Sequence, residues 1–435
     1  PRDVTTTEVV HSLRKEYKWP QTMTVWTGKN AKERVIDFTR LLQDTIRISM
    51  SVQSMDTQVL KNVSRDNIKL DHYRSIAADL DRQGRKQHAE VVMPLPGETL
   101  ESHIKGLNEL LDTKLSNIQS HTLQMLHGTP YKDDPKYVRE YGYQTKFRLV
   151  PLDFSIIGED KIFDVEEVGI ATNSFPFEDY VVAREYLLTL DICFSTGVFQ
   201  PLLRHATDHG VSVSSIINAV FEKRHNYDGI IKKIFESFAA DTNGELWDSE
   251  EELISHYSET INFEKLVAGE VGGNVLFKHR IWILAQAIEE WVDITFDSAE
   301  ALYEQAQVTE NALNELQCLK TFIMGTVSKS FSPNYLDDIV EKTINHDIVT
   351  WLENSDKKNL AEFALTQPKI IRFEFSDQDK KILSDAFTRY GHDVPGLVKL
   401  IQRVVTVPFR TPITGTDTAS DTIQQSSSSG GTMSP

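Results

Sequence analysis

A row of polar side chains follows one strand-like run near the start of the sequence. In the run 46–53, apolar residues alternate with Arg47, Ser49, Ser51 and Gln53. Successive side chains of a strand point to opposite faces of its sheet, so one whole face of this run is polar. Burying such a row is costly unless a partner takes up its hydrogen bonds. A water- or ligand-filled lumen would supply that partner, and the alternative is a solvent-facing side of an open sheet.

A carboxylate lies in the next strand-like run. Glu90 belongs to the run 88–93, which ends in the turn Pro-Leu-Pro-Gly-Glu-Thr at 94–99. Two prolines and a glycine make this turn tight, and Thr99 can cap the helix that follows. Ligands of parallel α/β folds bind at the carboxyl ends of the strands, which is where Gln53, Glu90 and the turn are expected. A carboxylate at that place would accept hydrogen bonds from a ribose diol or an ammonium group.

Histidines and cysteines offer rival sites. His205 and His209 stand four residues apart, which would place both imidazoles on one face of a helix. No third ligand is evident beside them, so we expect the end of a surface helix there and not a metal site. His121 could face the lumen, although a structural histidine is the commoner role. Cys193 and Cys318 occur in apolar stretches typical of a helical core.

The elements that would position these residues alternate over the first 174 residues. Strands are predicted near 23–27, 46–52, 88–93 and 117–125, and helices near 31–43, 56–62, 68–83 and 99–113. Strands that alternate with helices indicate βαβ units and a parallel sheet with right-handed crossovers. The stretch 129–174 differs, because two short strand-like runs, 147–150 and 170–172, flank a Gly-Glu-Asp turn at 158–160.

The pattern from about residue 175 to 410 is mostly helical. In Asn274 to Phe296, apolar residues recur at three- and four-residue steps, which predicts one long helix with a buried stripe. Residues 411–435 include twelve Ser and Thr, and few apolar side chains remain there to offset the entropy of ordering. That composition predicts a disordered tail.

The composition narrows the functional classes. Of 435 residues, 46 are Lys or Arg and 64 are Asp or Glu, and nearly all of the net charge of −18 follows residue 174. An acidic surface repels phosphate backbones, so nucleic-acid binding is not expected. No stretch approaches the ~18 apolar residues of a membrane span. The two cysteines exclude a disulfide framework and indicate a reducing, cytoplasmic setting.

Several segments together resemble the radical S-adenosylmethionine superfamily, and most of all its cobalamin-binding branch. They are Arg47 to Asp56, Val59 to Arg65 and Glu90 to Thr99, and further likeness lies in Trp26 to Asn30, Tyr141 to Tyr143 and Thr145 to Arg148. The order and spacing of the first three match the later strands of those enzymes. The resemblance covers about residues 1–200.

The resemblance implies a partial (β/α) barrel whose mouth holds S-adenosylmethionine against a [4Fe–4S] cluster. In that family the matching positions contact the cofactor itself. The implied contacts are Gln53 and Ser51 with the cofactor, Arg65 with its carboxylate, Glu90 with its ribose or methionyl group, and the segment Met93, Pro94 and Leu95 with its adenine.

The resemblance also implies groups that this sequence does not carry. The cluster of those enzymes is held by three closely spaced cysteines, and Cys193 and Cys318 form no such triplet. Since the sequence begins Pro1-Arg2 without Met, we expect the C-terminal part of a longer enzyme, inactive as given, with a divergent pseudoenzyme as the alternative. The iron–sulfur cluster and cobalamin would belong to the full-length parent. The resemblance implies that the parent cleaves S-adenosylmethionine reductively and abstracts a hydrogen atom, with methyl transfer to the substrate as an optional further step.

The expected architecture follows from the pattern and the resemblance together. It is an incomplete barrel at 1–128, an irregular β extension at 129–174, a mostly α-helical domain at 175–410 and a disordered tail at 411–435. The expected partners are a small-molecule or lipid-like substrate and, for the parent, a reductant protein, with no nucleic acid and no membrane span. A non-catalytic scaffold built on the incomplete barrel is the alternative function.

Overall fold

The computed structural model shows two compact units. It describes residues 2–19, 23–26, 41–42, 46–64, 87–113, 115, 117–354, 358–401 and 409–413. The N-terminal unit holds the described residues of Pro1–Gln144 and Gly169–Tyr180, and the C-terminal unit holds those of Thr145–Val168 and Val181–Thr422. Each unit has its own sheet and its own buried apolar cluster.

The N-terminal unit is built on a four-stranded parallel sheet. Its strands are β1 (Met23–Trp26), β2 (Ile46–Gln53), β3 (Gln87–Met93) and β4 (Asn117–Thr122). They pair in the order in which they occur in the chain, and every pair is parallel. Right-handed crossovers between strands added in one direction place their connections on one face and leave the other face open. The four predicted strands are confirmed, and the described strands do not close into a barrel.

Three helices of this unit are α1 (Arg2–Tyr17), α2 (Thr57–Asn62) and α3 (Leu100–Leu111). Helix α2 begins after Asp56, whose carboxylate accepts two backbone N–H groups of the first turn. Helix α3 begins after Thr99, which forms a reciprocal capping box with Ser102. Such caps satisfy N–H groups that have no partner inside the helix. The predictions of α2 and α3 are confirmed, α1 was not predicted, and the helices predicted at 31–43 and 68–83 lie largely outside the described residues.

A long hairpin follows the parallel sheet. Two short helices, α4 (Pro130–Asp133) and α5 (Pro135–Tyr141), lead into β5 (Gln144–Ile157) and β6 (Asp160–Ala171). The turn between the strands falls where the sequence predicts it, but the strands are much longer than the predicted runs of three and four residues. Their far halves are mostly exposed, which leaves little apolar periodicity in the sequence to mark them.

Most helices lie in the C-terminal unit, as predicted. They are α6 (Phe177–Leu190), which begins in the N-terminal unit, α7 (Gln200–Asp208), α8 (Val213–Glu222), α9 (Gly229–Gly244), α10 (Glu250–Ser258), α11 (Thr260–Ala268), α12 (Val275–Trp282), α13 (Ile288–Gln305), α14 (Glu310–Val327), α15 (Ile348–Glu353), α16 (Asp377–Tyr390) and α17 (Val394–Ile401). The single helix predicted over Asn274 to Phe296 is interrupted by a π-helical segment, Ile283–Ala287. The predicted stripe is still largely buried, since Ile281, Leu284 and Ile288 are each at most 5% exposed.

The C-terminal unit also contains an antiparallel sheet that was not predicted. Its strands are β7 (Val340–His346), β8 (Ala364–Glu374) and β9 (Thr411–Ile413), paired in that order. The prediction of a mostly helical domain holds, but it did not include β7 and β8, and the tail prediction is wrong for β9. Lys342 interrupts the apolar alternation of β7, and Pro368 is uncommon inside a strand, so the sequence signal is weak. The rest of the predicted tail lies outside the described residues.

Within the described ranges, no single helix is both long and apolar enough to cross a bilayer. One pair of helical segments bent by 84°, Phe177–Ser195 with Gln200–Asp208, has the length and composition of a span when the two are taken together.

Candidate functional site

Polar residues of neighbouring strands line up on one face of the parallel sheet. Ser51 of β2 is in register with Glu90 of β3, and Glu90 is in register with Gln119 of β4. One step further along, Val92 is in register with His121. Residues paired in a parallel sheet point to the same side, so Glu90, Gln119 and His121 share one face, and the register places Ser51 beside Glu90. We call this the polar face.

The two faces of β3 differ in exposure. On the polar face, the side chains of His88 and Glu90 are 23% and 20% exposed, and His88 Nε2 lies 3.6 Å from a carboxylate oxygen of Glu90. On the opposite face, Ala89, Val91 and Met93 are at most 3% exposed. The polar face is therefore reachable from solvent, whereas the apolar face is part of the core.

A buried acceptor on the polar face has no hydrogen-bond partner among the described residues. Asn117 is in register with His88, at the start of β4. Its side-chain oxygen Oδ1 is inaccessible to water and accepts no hydrogen bond from the described part of the chain. A buried polar atom without a partner costs free energy, which a bound polar ligand could recover.

Gln53 departs from the simple alternation that the sequence predicts. The pairing of β2 with β3 shifts after Ser51, so that Gln53 is in register with Val91 and not with Val92. The backbone of Gln53 is left-handed, with φ of 65°. A β-bulge of this kind re-aims the side chain at the end of a strand. Gln53 is half-buried. Because of the bulge, strand alternation alone does not place Gln53 in the same row as Ser51.

The turn after β3 is held by one buried carboxylate. Glu98 is 1% exposed, and it accepts hydrogen bonds from the N–H of Leu95 at 3.1 Å and from Oγ of Ser54 at 3.3 Å. The oxygen that accepts from Ser54 also lies 3.2 Å from Nδ1 of His103 on α3. Because Ser54 directly follows β2, Glu98 ties the carboxyl ends of β2 and β3 to the first turns of α3.

The turn is also fixed from the side of α2. The side-chain amide of Asn62 donates to the carbonyl of Pro96 at 2.8 Å. Gly97 has φ of +78°, and a Cβ added there would lie 2.6 Å from Asn62 Nδ2. The hydroxyl of Tyr143 donates to the carbonyl of Pro94 at 3.4 Å. The segment predicted to contact an adenine is thus rigidly supported.

The predicted adenine segment is buried, and its backbone groups are already engaged. Met93, Pro94 and Leu95 are buried side chains. The carbonyl of Met93 accepts from the N–H of Leu123 at 2.8 Å, and the carbonyl of Leu95 accepts from the N–H of Glu98 at 3.0 Å. Of the other predicted site residues, Ser51 is placed only by its register, and Arg65 lies outside the described residues.

Sequence reasoning missed Glu98 and His103 as members of this region. Glu98 belongs to the predicted turn at 94–99, but the neighbouring sequence does not show that its carboxylate is buried. An acidic residue between a Pro-Gly turn and a helix cap is the signal that the sequence offers.

Neither cysteine fits an iron–sulfur cluster. Cys193 is fully buried, and its sulfur accepts a hydrogen bond from the indole N–H of Trp291 at 3.4 Å. Burial raises the pKa of the Cys193 thiol to about 12, and burial also raises the pKa of Cys318. Clusters are bound by thiolates, so these two buried thiols are unsuited to that role.

Comparison with curated proteins finds two relatives of one type. The chain is 26% identical over 194 residues to the cobalamin-dependent radical SAM methyltransferase TokK of Streptomyces tokunonensis, a match over 43% of this chain and 28% of that protein. It is 24% identical over 185 residues to the 2-(S-pantetheinyl)-carbapenam-3-carboxylate methyltransferase of Streptantibioticus cattleyicolor, a match over 42% of this chain and 27% of that protein. The predicted resemblance to the cobalamin branch of the radical S-adenosylmethionine superfamily is confirmed. No family model matches the chain.

The two matches cover only a part of each relative. The chain spans little more than a quarter of the length of each relative. The similarity therefore concerns one segment of those proteins and does not by itself assign their activity to this chain.

Proposed function

We propose that the N-terminal unit binds S-adenosylmethionine at the carboxyl ends of β2 and β3, as part of a cobalamin-type radical S-adenosylmethionine enzyme. One observation carries the proposal: Ser51, Glu90 and Gln119 form a row on a solvent-reachable face, beside a turn fixed by Glu98. Similarity to two enzymes of that branch supports the same assignment. In this proposal the four-stranded sheet is part of an incomplete (β/α) barrel, and its polar face lines the lumen.

Glu90 is the proposed anchor for the cofactor. Its partly exposed carboxylate would accept hydrogen bonds from the ribose hydroxyls or from the methionyl ammonium group. His88, 3.6 Å away, would hold that carboxylate in place. Asn117 would offer its unpartnered side-chain oxygen to a polar group deeper on the same face.

Gln53, Arg65 and the turn supply the remaining proposed contacts. The bulge at Gln53 leaves its amide at the strand end, and the guanidinium of Arg65 is suited to the carboxylate of the methionyl group. Since the backbone of Met93 and Leu95 is already hydrogen-bonded, the adenine would lie against this segment mainly through van der Waals contact.

The protein's share of the chemistry is to bind, orient and shield. When bound, S-adenosylmethionine supplies a sulfonium group whose reductive cleavage starts hydrogen abstraction in this superfamily. The sheet and its turn would fix the position of that group and exclude water from one side. The cluster would be held by residues outside this sequence, because Cys193 and Cys318 do not fit it, and the 435-residue chain should be inactive by itself. Both relatives are named methyltransferases, so methyl transfer to a small-molecule substrate is the reaction we propose for the complete enzyme.

Titration calorimetry with S-adenosylmethionine tests the proposal. Glu90→Gln keeps the size of the side chain but removes the charge, and a hydrogen bond to a charged group contributes about 1.5–3 kcal/mol. We therefore expect the Kd to rise roughly 10- to 100-fold. Glu101→Gln is the matched control, since Glu101 is an exposed carboxylate on the first turn of α3.

Two results would count against this site. The first is that the wild-type chain gives no measurable heat of binding, and the second is that the wild type and Glu90→Gln bind with equal affinity. Either would favour the non-catalytic scaffold.

A further inference from the structure

A second cluster of ligand-type side chains lies in the C-terminal unit, outside the region discussed above. Helix α7 supplies His205, His209 caps the end of that helix, and α14 supplies Glu315 from the facing side. His205 is fully buried, Glu315 is 3% exposed, and the side chain of His209 is 22% exposed. The expected helix end is present, but its surface position is wrong, because His205 is buried and Glu315, distant in sequence, packs against both imidazoles.

The distances converge on one carboxylate oxygen. Glu315 Oε2 lies 2.7 Å from His205 Nε2 and 3.6 Å from His209 Nε2. The two imidazole rings are 4.4 Å apart between centroids. One ligand atom from each residue lies within 4.8 Å of the others. All three side chains therefore face a common point.

These separations suit a small divalent ion. Zinc binds imidazole nitrogen and carboxylate oxygen at roughly 2.0–2.2 Å, so two tetrahedral ligands stand about 3.3 Å apart. The His209–Glu315 distance is close to that value. The shorter His205–Glu315 distance is that of a hydrogen bond, in which a proton occupies the place that an ion would take.

A structural ion pair would explain only part of the arrangement. His205 and Glu315 alone satisfy each other, and no second imidazole is needed. His209 Nε2 is nonetheless buried, points at the same carboxylate and has no hydrogen bond among the described residues. A buried ring nitrogen aimed at a carboxylate and left without a hydrogen bond indicates a missing ligand.

The surroundings prepare the three residues for an ion. The hydroxyl of Tyr303 lies 2.9 Å from His205 Nδ1, which fixes the ring and can leave Nε2 free to bind a metal.

We propose that His205, His209 and Glu315 bind a divalent transition-metal ion, with zinc as the best fit to two imidazoles and one carboxylate. A water molecule would complete the coordination on the partly exposed side of His209. The site is independent of the proposed S-adenosylmethionine site, since all its residues belong to the C-terminal unit.

The test uses the full chain after treatment with a chelator, titrated with Zn²⁺ and separately with Co²⁺. We expect one equivalent of Zn²⁺ per chain, a rise in melting temperature, and a Co²⁺ absorption spectrum of tetrahedral type. Glu315→Gln keeps the size of the side chain and an acceptor for His205 but loses the charge. We expect this variant to bind at least about 100-fold more weakly, since even outer-shell changes cost roughly 10- to 100-fold.

Two further variants make the result decisive. His209→Ala changes a partly exposed side chain, so it should remain folded and lose affinity by a similar factor even if Glu315→Gln does not fold. His225→Ala removes an exposed histidine of the same unit and should bind like the wild type. The proposal is overturned if the wild type binds no ion stoichiometrically, or if His209→Ala binds as tightly as His225→Ala.

Discussion

Replacing Glu98 with alanine should open the turn after β3 and weaken the cofactor site with it. The carboxylate accepts from Leu95, Ser54 and His103, and it is almost fully buried. Glu98→Ala would leave three donors in the core without an acceptor. Each hydrogen bond to a charged group is worth about 1.5–3 kcal/mol, but the three are not additive. A buried donor that is left without an acceptor costs about 1–3 kcal/mol, so we take about 3 kcal/mol as the expected destabilisation.

Hydrogen exchange followed by mass spectrometry can locate this effect. A loss of 3 kcal/mol corresponds to roughly 100-fold faster exchange, because 1.36 kcal/mol is a factor of ten. We expect that acceleration in peptides that cover residues 87–113 and the end of β2. Glu98→Gln retains one acceptor oxygen and should show an intermediate effect, and Glu101→Gln should show none.

Protection in Glu98→Ala that stays within about twofold of the wild type would show that Glu98 does not hold the turn closed. A uniform loss of protection over the whole chain would also contradict the prediction, since that would mean global unfolding and not local opening of the turn.

Two further predictions concern a glycine and a histidine. Gly97→Ala should lower the urea midpoint more than Gly128→Ala, because both glycines have positive φ but only the new Cβ at position 97 meets another side chain, Asn62. An equal fall of the urea midpoint in the two variants would contradict the predicted clash between the new Cβ at position 97 and Asn62. Burial lowers the pKa of His279 below its usual 6.5, so the folded chain takes up a proton less readily than the unfolded chain. The contribution of His279 to the free energy of unfolding should therefore be fully present above about pH 6.5 and be lost as the pH falls below that value. His279→Asn should flatten this part of the plot of melting temperature against pH. An unchanged slope would show that His279 does not contribute.

The strands of the N-terminal unit could be predicted because their signals are local. Alternation of polar and apolar residues in 46–53 and 88–93 marks two strands, and the turn at 94–99 ends the second. The register of those strands then aligned Ser51 with Glu90. The bulge at Gln53 could not be predicted in this way, since it depends on the pairing of two strands and not on the sequence of one.

Contacts between residues that are distant in sequence could not be predicted from local sequence patterns. Glu315 meets His205 across 110 positions, so nothing near the His-x3-His spacing announces the third ligand. Glu98 is central only because Ser54 and His103 are brought to it by two different elements. The sheet of β7 and β8 was missed for another reason, namely that Lys342 occupies an apolar position of the alternation.

The most direct test of the central claim is a crystal structure of the chain with S-adenosylhomocysteine, which has the same ribose, adenine and carboxylate groups as S-adenosylmethionine. The account predicts the ligand on the polar face, with the carboxylate of Glu90 on its ribose or amino group and the adenine against Met93, Pro94 and Leu95. A ligand bound elsewhere on the chain, or a polar face that stays solvated at saturating ligand, would contradict it.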